Sequence, residues 1–305
     1  MSRRARSPQE KLAALEEMLR VIPKHKGTEK LQADLRKRLS RLKKEEASRP
    51  SRTGHRPFYQ MDREGAGRVV VCGPPNSGKS ALVDCLTGAR PEVADYPFTT
   101  RLPLPGMMDY EDIQIQLIDT PPLAPAAVEG WLLQMMSQGE VVLLVFDVND
   151  PDLLEQTEFL LDLLSDRGIL ENEPPKLVVL AGKMDQAGAD QNLQIWGELF
   201  AERFQAHPFS VRDPQMVEQL RERLFRLLDV VRVYTKRPGH PVAAGASPFL
   251  LKRGATVIDA AGCVHKDLAS GFRFARIWRP PDRNGQMIDR HEAVQDRDLL
   301  EIHAS

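Results

Sequence analysis

Eight consecutive residues carry the clearest chemistry in this chain. Gly73-Pro74-Pro75-Asn76-Ser77-Gly78-Lys79-Ser80 has the spacing G-x-x-x-x-G-K-[ST]. An apolar, β-branched run, Arg68–Cys72, precedes it, and ALVDCLTG with helix-forming character follows. Strand, glycine-rich loop and helix are the context in which that spacing makes a phosphate cradle. The backbone N–H groups of the loop and the helix N-terminus together form a positive concavity for phosphate oxygens. In such a loop Lys79 reaches the β- and γ-phosphates, and the Ser80 hydroxyl sits on Mg²⁺. The competing reading is a plain strand-to-helix turn.

Four further stretches follow in order. ADYPFTTR (94–101) holds Thr99 and Thr100, of which a hydroxyl could meet Mg²⁺ and a backbone N–H a γ-phosphate; an ordinary loop is the alternative. In LIDTPP (117–122), Asp119 closes a strand-like run, so its carboxylate is a candidate metal holder, against the bland reading of a turn former. LAGKMDQ (180–186) presents Lys183-x-Asp185 at the end of another apolar run. A carboxylate there accepts from the N1–H and 2-amino groups of guanine, a donor pair that adenine lacks, so Asp185 selects GTP over ATP. The Lys183 stem would lie over the base. In HPFSVRD (207–213), Ser210 could brace the base through its backbone.

Elements that would position these residues alternate along the chain. Strand-like runs fall at Arg68–Cys72, Ile113–Ile118, Val141–Phe146 and Leu177–Ala181. Helix-like runs fall at Gly78–Thr87, Ala126–Ser137, Leu153–Asp166, Leu193–Arg203 and Gln215–Leu228. The alternation predicts an α/β fold, a mostly parallel sheet with helices on both faces. Ligands of such sheets bind beyond the C-terminal strand ends, where each candidate motif lies.

At 305 residues the chain has room for two or three domains. No apolar stretch is long enough for a membrane span, and the N-terminus lacks the apolar core of a secretory signal. Cys72, Cys85 and Cys263 are far apart or inside apolar runs, which predicts no disulfide partner and a reducing, cytoplasmic setting. The net charge of −1 hides an asymmetry: residues 1–56 hold 17 Lys/Arg against 7 Asp/Glu, and the remainder 25 against 36. A basic arm on an acidic body points to a polyanionic partner for the arm. Within it, Ser7-Pro8-Gln9-Glu10 reads as a capping box ahead of Leu12, Leu15, Leu19 and Ile22. Pro23 stops that helix, and Thr28 opens a second with Leu31, Leu35, Leu39 and Leu42 on one face. The resulting hairpin exposes Arg36, Lys37, Arg38, Arg41, Lys43 and Lys44. RNA phosphates, a protein-binding coiled coil and a merely solvated face are the three readings of that surface.

Beyond residue 230, VVRVYTK starts a strand, PFLLKRGATV gives a strand and glycine turn, and a helix is expected from Val257 to Leu268. Strands Phe272–Trp278 and Leu299–His303 close the chain. Strands around one helix predict a small β-grasp fold. His265-Lys266-Asp267-Leu268 reads as the end of a packed helix rather than a catalytic His-Asp pair.

GPPNSGKS, ADYPFTTR, DTPP, GKMD and a short Ser-containing loop resemble, in that order, the GTPase motifs of the Obg/DRG (developmentally regulated GTP-binding) family; ARPEVADYPFTT is especially similar to its switch I. The stretches VRVYTK, LKRGATV, VHKDL, FRFARIW and QDRDLLEI resemble the TGS domain that ends DRG proteins. The resemblance implies a basic hairpin and linker over 1–60, a GTP-binding domain over 61–229 and a TGS β-grasp domain over 230–305. It implies GTP or GDP at Gly73 to Ser80, with Mg²⁺ held by Ser80, Thr100 and Asp119 and guanine read by Lys183 and Asp185. It further implies a ribosome or structured-RNA partner for the arm and the TGS domain. Three departures stand out. Pro122 replaces a glycine whose N–H meets the γ-phosphate, and proline has no N–H. Gly182 replaces the asparagine of N-K-x-D. Only 64 positions separate Asp119 from Lys183, too few for the extra subdomain of archaeal and eukaryotic DRG proteins. Leu123 stands where other GTPases carry a water-orienting glutamine, and Asn76 matches the asparagine that helps relatives bind K⁺. The expected chemistry is therefore a slow, K⁺-stimulated GTP hydrolysis centred on Asn76, Lys79 and Thr100. The alternative is a degenerate GTPase acting as an RNA- or ribosome-binding adaptor.

Overall fold

The computed structural model describes residues 59–88, 102–125, 128–169, 175–242, 245–279, 281 and 283–305. The expected basic hairpin of residues 1–56 and the switch I pair Thr99 and Thr100 lie outside these residues.

The first sheet is built on β1 (Arg68–Cys72), whose five residues are all buried. Parallel strands covered on both faces read as continuous apolar runs, and β4 (Val141–Asp147) and β5 (Lys176–Gly182) have that character. With β2 (Leu104–Tyr110), β3 (Ile113–Asp119) and β6 (Ala206–Pro208) they form a six-stranded sheet of order β2-β3-β1-β4-β5-β6. Only β2 runs antiparallel to its neighbour. Strand alternation sorts the core into two layers. Val70 and Cys72 face α2 (Gly130–Ser137), α3 (Leu153–Asp166) and α4 (Ala189–Phe200), while Val69 and Val71 face α1 (Lys79–Thr87) and α5 (Pro214–Leu227). Helix α5 starts where its sequence says it should. Pro214 takes the first position, and the Asp213 carboxylate accepts from Gln215 N and Met216 N at 2.8 and 3.3 Å.

The second sheet has the order β10-β9-β11-β7-β8, from β7 (Val230–Lys236), β8 (Phe249–Lys252), β9 (Phe272–Arg279), β10 (Arg283–Ile288) and β11 (Asp298–Ala304). Strands β7 and β11 are parallel at its centre, as a β-grasp requires, and the other pairs are antiparallel. One face packs on α6 (Val257–Val264) and α7 (Lys266–Ser270) through Val231, Val233, Ala260, Ala261, Ile277 and Leu300. Among the described residues no helix is long and apolar enough to cross a membrane.

Several expectations are corrected. The helix expected over Val257–Leu268 is two helices, because His265 is extended (φ −163°, ψ 142°) and caps the second by accepting from Asp267 N at 3.2 Å. The helix expected from Ala126 begins at Gly130, after an extended Glu129; Val128 packs on the same core from outside the helix, which lengthened the apolar pattern. Helix α4 spans Ala189–Phe200 rather than Leu193–Arg203, since its polar first turn hides its start. Strands β2 and β10 were not legible: β2 carries Pro105 and Gly106, and β10 is an edge strand with a bulge at Asn284/Gln286.

The two sheets touch through the turn between β2 and β3. The Arg232 side chain on β7, only 3% exposed, meets Asp112 Oδ1 at 3.0 Å, the Glu111 carboxylate, and Asp296 Oδ2 at 2.7 Å. Its guanidinium also lies 4.8 Å over the Phe225 ring, and the Tyr234 hydroxyl donates to Asp112. The three carboxylates hold the Arg232 charge in place and raise its pKa, with Asp296 contributing most.

Candidate functional site

The loop from Gly73 to Ser80 leaves β1 and enters α1 at the C-terminal edge of the first sheet. Gly73 has φ +151°, and a Cβ there would lie 2.2 Å from Val145 O, so only glycine lets β1 turn this close to β4. Asn76 and Gly78 also take positive φ, 58° and 97°. These turns fold the chain around Lys79, which is 7% exposed. Its ammonium donates to Pro74 O at 2.6 Å and to Ser77 Oγ at 3.4 Å, while Ser77 Oγ donates to Pro74 O at 3.0 Å. Burial lowers the Lys79 pKa, and the nearby Asp119 opposes the shift. Pro75 and Asn76 line the same cavity of about 640 Å³ as Lys79, Ser80 and Asp119. That size falls within the ~300–1,000 Å³ of small-molecule sites.

At the floor of this cavity Ser80 Oγ donates to Asp119 Oδ2 at 2.6 Å. The second oxygen, Asp119 Oδ1, is buried and makes no hydrogen bond among the described residues. Desolvation raises the Asp119 pKa against the opposing Ser80 hydrogen bond and Lys79 charge. A hydroxyl and an under-satisfied carboxylate side by side form a donor set of the hard, all-oxygen kind that suits Mg²⁺. These residues fit such an ion.

The other end of the groove is the turn after β5. Lys183 has φ +59°. Its ammonium donates to Asn76 O at 2.9 Å and to Asp147 Oδ2 at 2.7 Å. Asp185 accepts from Ser210 Oγ at 2.7 Å through Oδ1, and its Oδ2 lies 3.0 Å from Arg212 Nη1. The Ser210 hydrogen bond is the main reason that the Asp185 pKa falls below the ordinary value. Ser210 thus braces the Asp185 carboxylate by its side chain, a contact separate from the backbone brace of the base expected of it. A cleft lined by Ser77, Gly78, Gly182, Lys183, Asp185 and Arg212 shares Gly78 and Lys183 with the wall of the phosphate-side cavity.

The structure therefore places Pro75, Asn76, Ser77, Gly78, Lys79, Ser80, Asp119, Lys183 and Asp185 on the walls of two cavities that share Gly78 and Lys183. Gly73 packs against Ser77 behind them, Pro74 accepts from Ser77 and Lys79, and Ser210 donates to Asp185. The segment beyond Asp119 is anchored to β1 and the loop: Leu123, 2% exposed, donates its N–H to Gly73 O at 3.0 Å, and Thr120 Oγ1 donates to Val71 O at 2.8 Å. Sequence reasoning missed Asp147 and Arg212. A signal for Asp147 was present, because it closes an apolar run as Asp119 does; Arg212 gave none.

Comparison with known proteins identifies the two domains. The profile of the 50S ribosome-binding GTPase family matches residues 68–181, and the TGS domain profile matches residues 231–304. An uncharacterized GTP-binding protein of Halobacterium salinarum is 25% identical over 374 aligned positions, covering 97% of this chain and 99% of the relative. A developmentally-regulated GTP-binding protein 2 homolog of Dictyostelium discoideum is 24% identical over 369 positions, covering 96% of this chain and 98% of the relative. Both alignments are longer than this chain, so these relatives carry segments without a counterpart here. The YchF GTPase of Schizosaccharomyces pombe shares the fold at a TM-score of 0.54 and 10% identity, over 79% of this chain and 99% of that one. The chain therefore carries a GTPase domain followed by a TGS domain, and along nearly its full length it is similar to GTP-binding proteins of the DRG type.

Proposed function

We propose that this protein binds GTP and GDP with Mg²⁺ in the groove between Gly73 and Arg212, hydrolyses GTP slowly, and acts as a cytoplasmic switch on the ribosome or another structured RNA. The observation that carries the reading is the convergence of Lys79, the Ser80–Asp119 pair and the Lys183–Asp185 turn on two cavities that share Gly78 and Lys183. The loop N–H groups and Lys79 would receive the phosphates, exchanging the Pro74 carbonyl for a β/γ oxygen. Ser80 and Asp119, with Thr100 of switch I, would hold Mg²⁺, which would supply neutralisation of the phosphate charge. Guanine N1–H and its amino group would take the Asp185 carboxylate from Arg212, while Ser210 keeps one oxygen oriented. Thr99 would flank the γ-phosphate. Asn76 would help hold K⁺ beside the phosphates, so turnover is expected to be faster in K⁺ than in Na⁺. The basic arm, within residues 1–60, and the TGS domain, 230–305, would make the RNA contacts, with the GTP-binding domain spanning 61–229.

Titration with GTP, GDP and ATP, with and without Mg²⁺, tests the site. The expected result is guanine selectivity that Mg²⁺ strengthens and Lys79→Ala abolishes, with RNA binding unchanged in that variant. RNA or ribosome binding without any nucleotide affinity would instead favour the adaptor reading. Deleting residues 1–56 should weaken salt-dependent RNA binding; unchanged binding removes the arm from the proposal.

A further inference from the structure

The turn that reads the base lacks an asparagine side chain at residue 182, and the structure shows why one has no room. Gly182 closes β5 directly beside Asp147, its partner in the parallel ladder. A Cβ on Gly182 would lie 2.9 Å from Phe146 O, closer than real Cβ atoms approach a backbone oxygen. The neighbouring strand brings a carboxylate to this turn. Asp147 Oδ2 accepts from Lys183 Nζ at 2.7 Å, and Oδ1 accepts from Asn149 N at 3.0 Å, which fixes the carboxylate in place. The same ammonium donates to Asn76 O at 2.9 Å. Asp147, Lys183 and the phosphate loop therefore form one hydrogen-bonded chain from the base end of the groove to its phosphate end.

Two details indicate that this chain bears on ligand geometry. Lys183 sits in the left-handed region at φ +59°, a conformation that persists when surrounding bonds over-determine it. The pair is also partly withdrawn from water, with side-chain exposures of 33% for Lys183 and 15% for Asp147. A charge-assisted bond in that setting is stronger and better aligned than an exposed surface pair.

We propose that Asp147 is a positioning residue for the nucleotide: it holds the Lys183 side chain across the base and against the phosphate loop, in place of the side chain absent at Gly182. The assignment rests on the guanine-nucleotide reading above. Its test uses the full chain and the affinity for GDP, followed with a fluorescent GDP analogue. Asp147→Asn is expected to weaken GDP by ~10-fold, the scale of one charge-assisted hydrogen bond, and Asp147→Glu to recover part of that loss. Lys183→Gln should cost at least as much, and Asp147→Asn should add nothing once Lys183 is gone. A general loss of folding would add to the Lys183→Gln effect rather than vanish within it. Gly182→Asn should lower affinity or stability; a gain would overturn the steric argument. Wild-type affinity in Asp147→Asn, or additive losses in the double variant, would overturn the assignment alone. If the wild-type protein binds no guanine nucleotide, the proposed function falls and this assignment falls with it.

Discussion

Arg232→Ala is expected to destabilise the protein by ~2–3 kcal/mol, and the structure supplies the reasoning. The side chain is 3% exposed and meets three carboxylates, with Asp296 contacted twice, through Nε at 3.0 Å and Nη2 at 2.7 Å. Removing one partner of a fully buried ion pair costs ~3–5 kcal/mol, because the surviving charge stays buried. Here Asp296, Asp112 and Glu111 keep 30%, 36% and 40% of their side-chain surface in water, so they rehydrate in part and the cost falls below that range. Arg232→Lys keeps the charge without the planar fork and should cost about half as much. The Arg232 hydrogen bond, with Arg297, lowers the Glu111 pKa; at Asp296 and Asp112 desolvation is outweighed by hydrogen bonds from Arg232, joined at Asp112 by a larger contribution from Tyr234. A depressed carboxylate pKa stabilises the fold above the ordinary carboxylate range and loses that effect as pH falls through the range. The gap between wild type and Arg232→Ala should therefore be widest near neutral pH and shrink below about pH 4. Urea unfolding followed by circular dichroism at several pH values measures both quantities. A difference under ~0.5 kcal/mol at neutral pH, of the size of a screened surface pair, would refute the reasoning.

Three further predictions concern the site and its support. Pro122→Gly supplies a backbone N–H at the position where the resemblance to DRG-type GTPases expects one. It should raise the GTP-over-GDP preference in calorimetric titration, at a stability cost of about 0.4–1 kcal/mol from the freer unfolded chain. Nucleotide affinity measured in Mg²⁺ should fall with acidification above the usual aspartate range, because burial raises the Asp119 pKa and only the ionised carboxylate holds a cation; the fall should be absent in EDTA. Thr157→Val should cost ~1–3 kcal/mol in thermal or urea unfolding, since the buried Thr157 hydroxyl accepts from Trp196 Nε1 at 3.0 Å and the indole N–H would be left without that bond.

Runs whose burial is continuous were legible from sequence. Arg68–Cys72 and Leu153–Asp166 have the bounds that the pattern of apolar residues gives, because a strand buried on both faces or a helix with one apolar stripe writes its period into the chain. Strand β2 was not legible, because its burial comes from β3 on one side and helix packing on one face, and neither is local in sequence. The break at His265 was hidden for a similar reason. The apolar spacing runs through it, and the break is set by how α6 and α7 pack on the second sheet.

The sequence by itself determined the phosphate loop, the acid that closes β3 and the Lys183–Asp185 turn, because spacing along a strand–loop–helix fixes where backbone N–H groups and carboxylates emerge. Only the tertiary structure decided which groups complete them. Asp147 and Lys183 are 36 residues apart, Asp185 and Ser210 are 25 apart, and Arg232 and Asp112 are 120 apart. These pairs meet because parallel strand order and the docking of the second sheet on the β2–β3 turn bring them together. Distances of a few ångströms between such distant residues come from packing, and no local pattern encodes them.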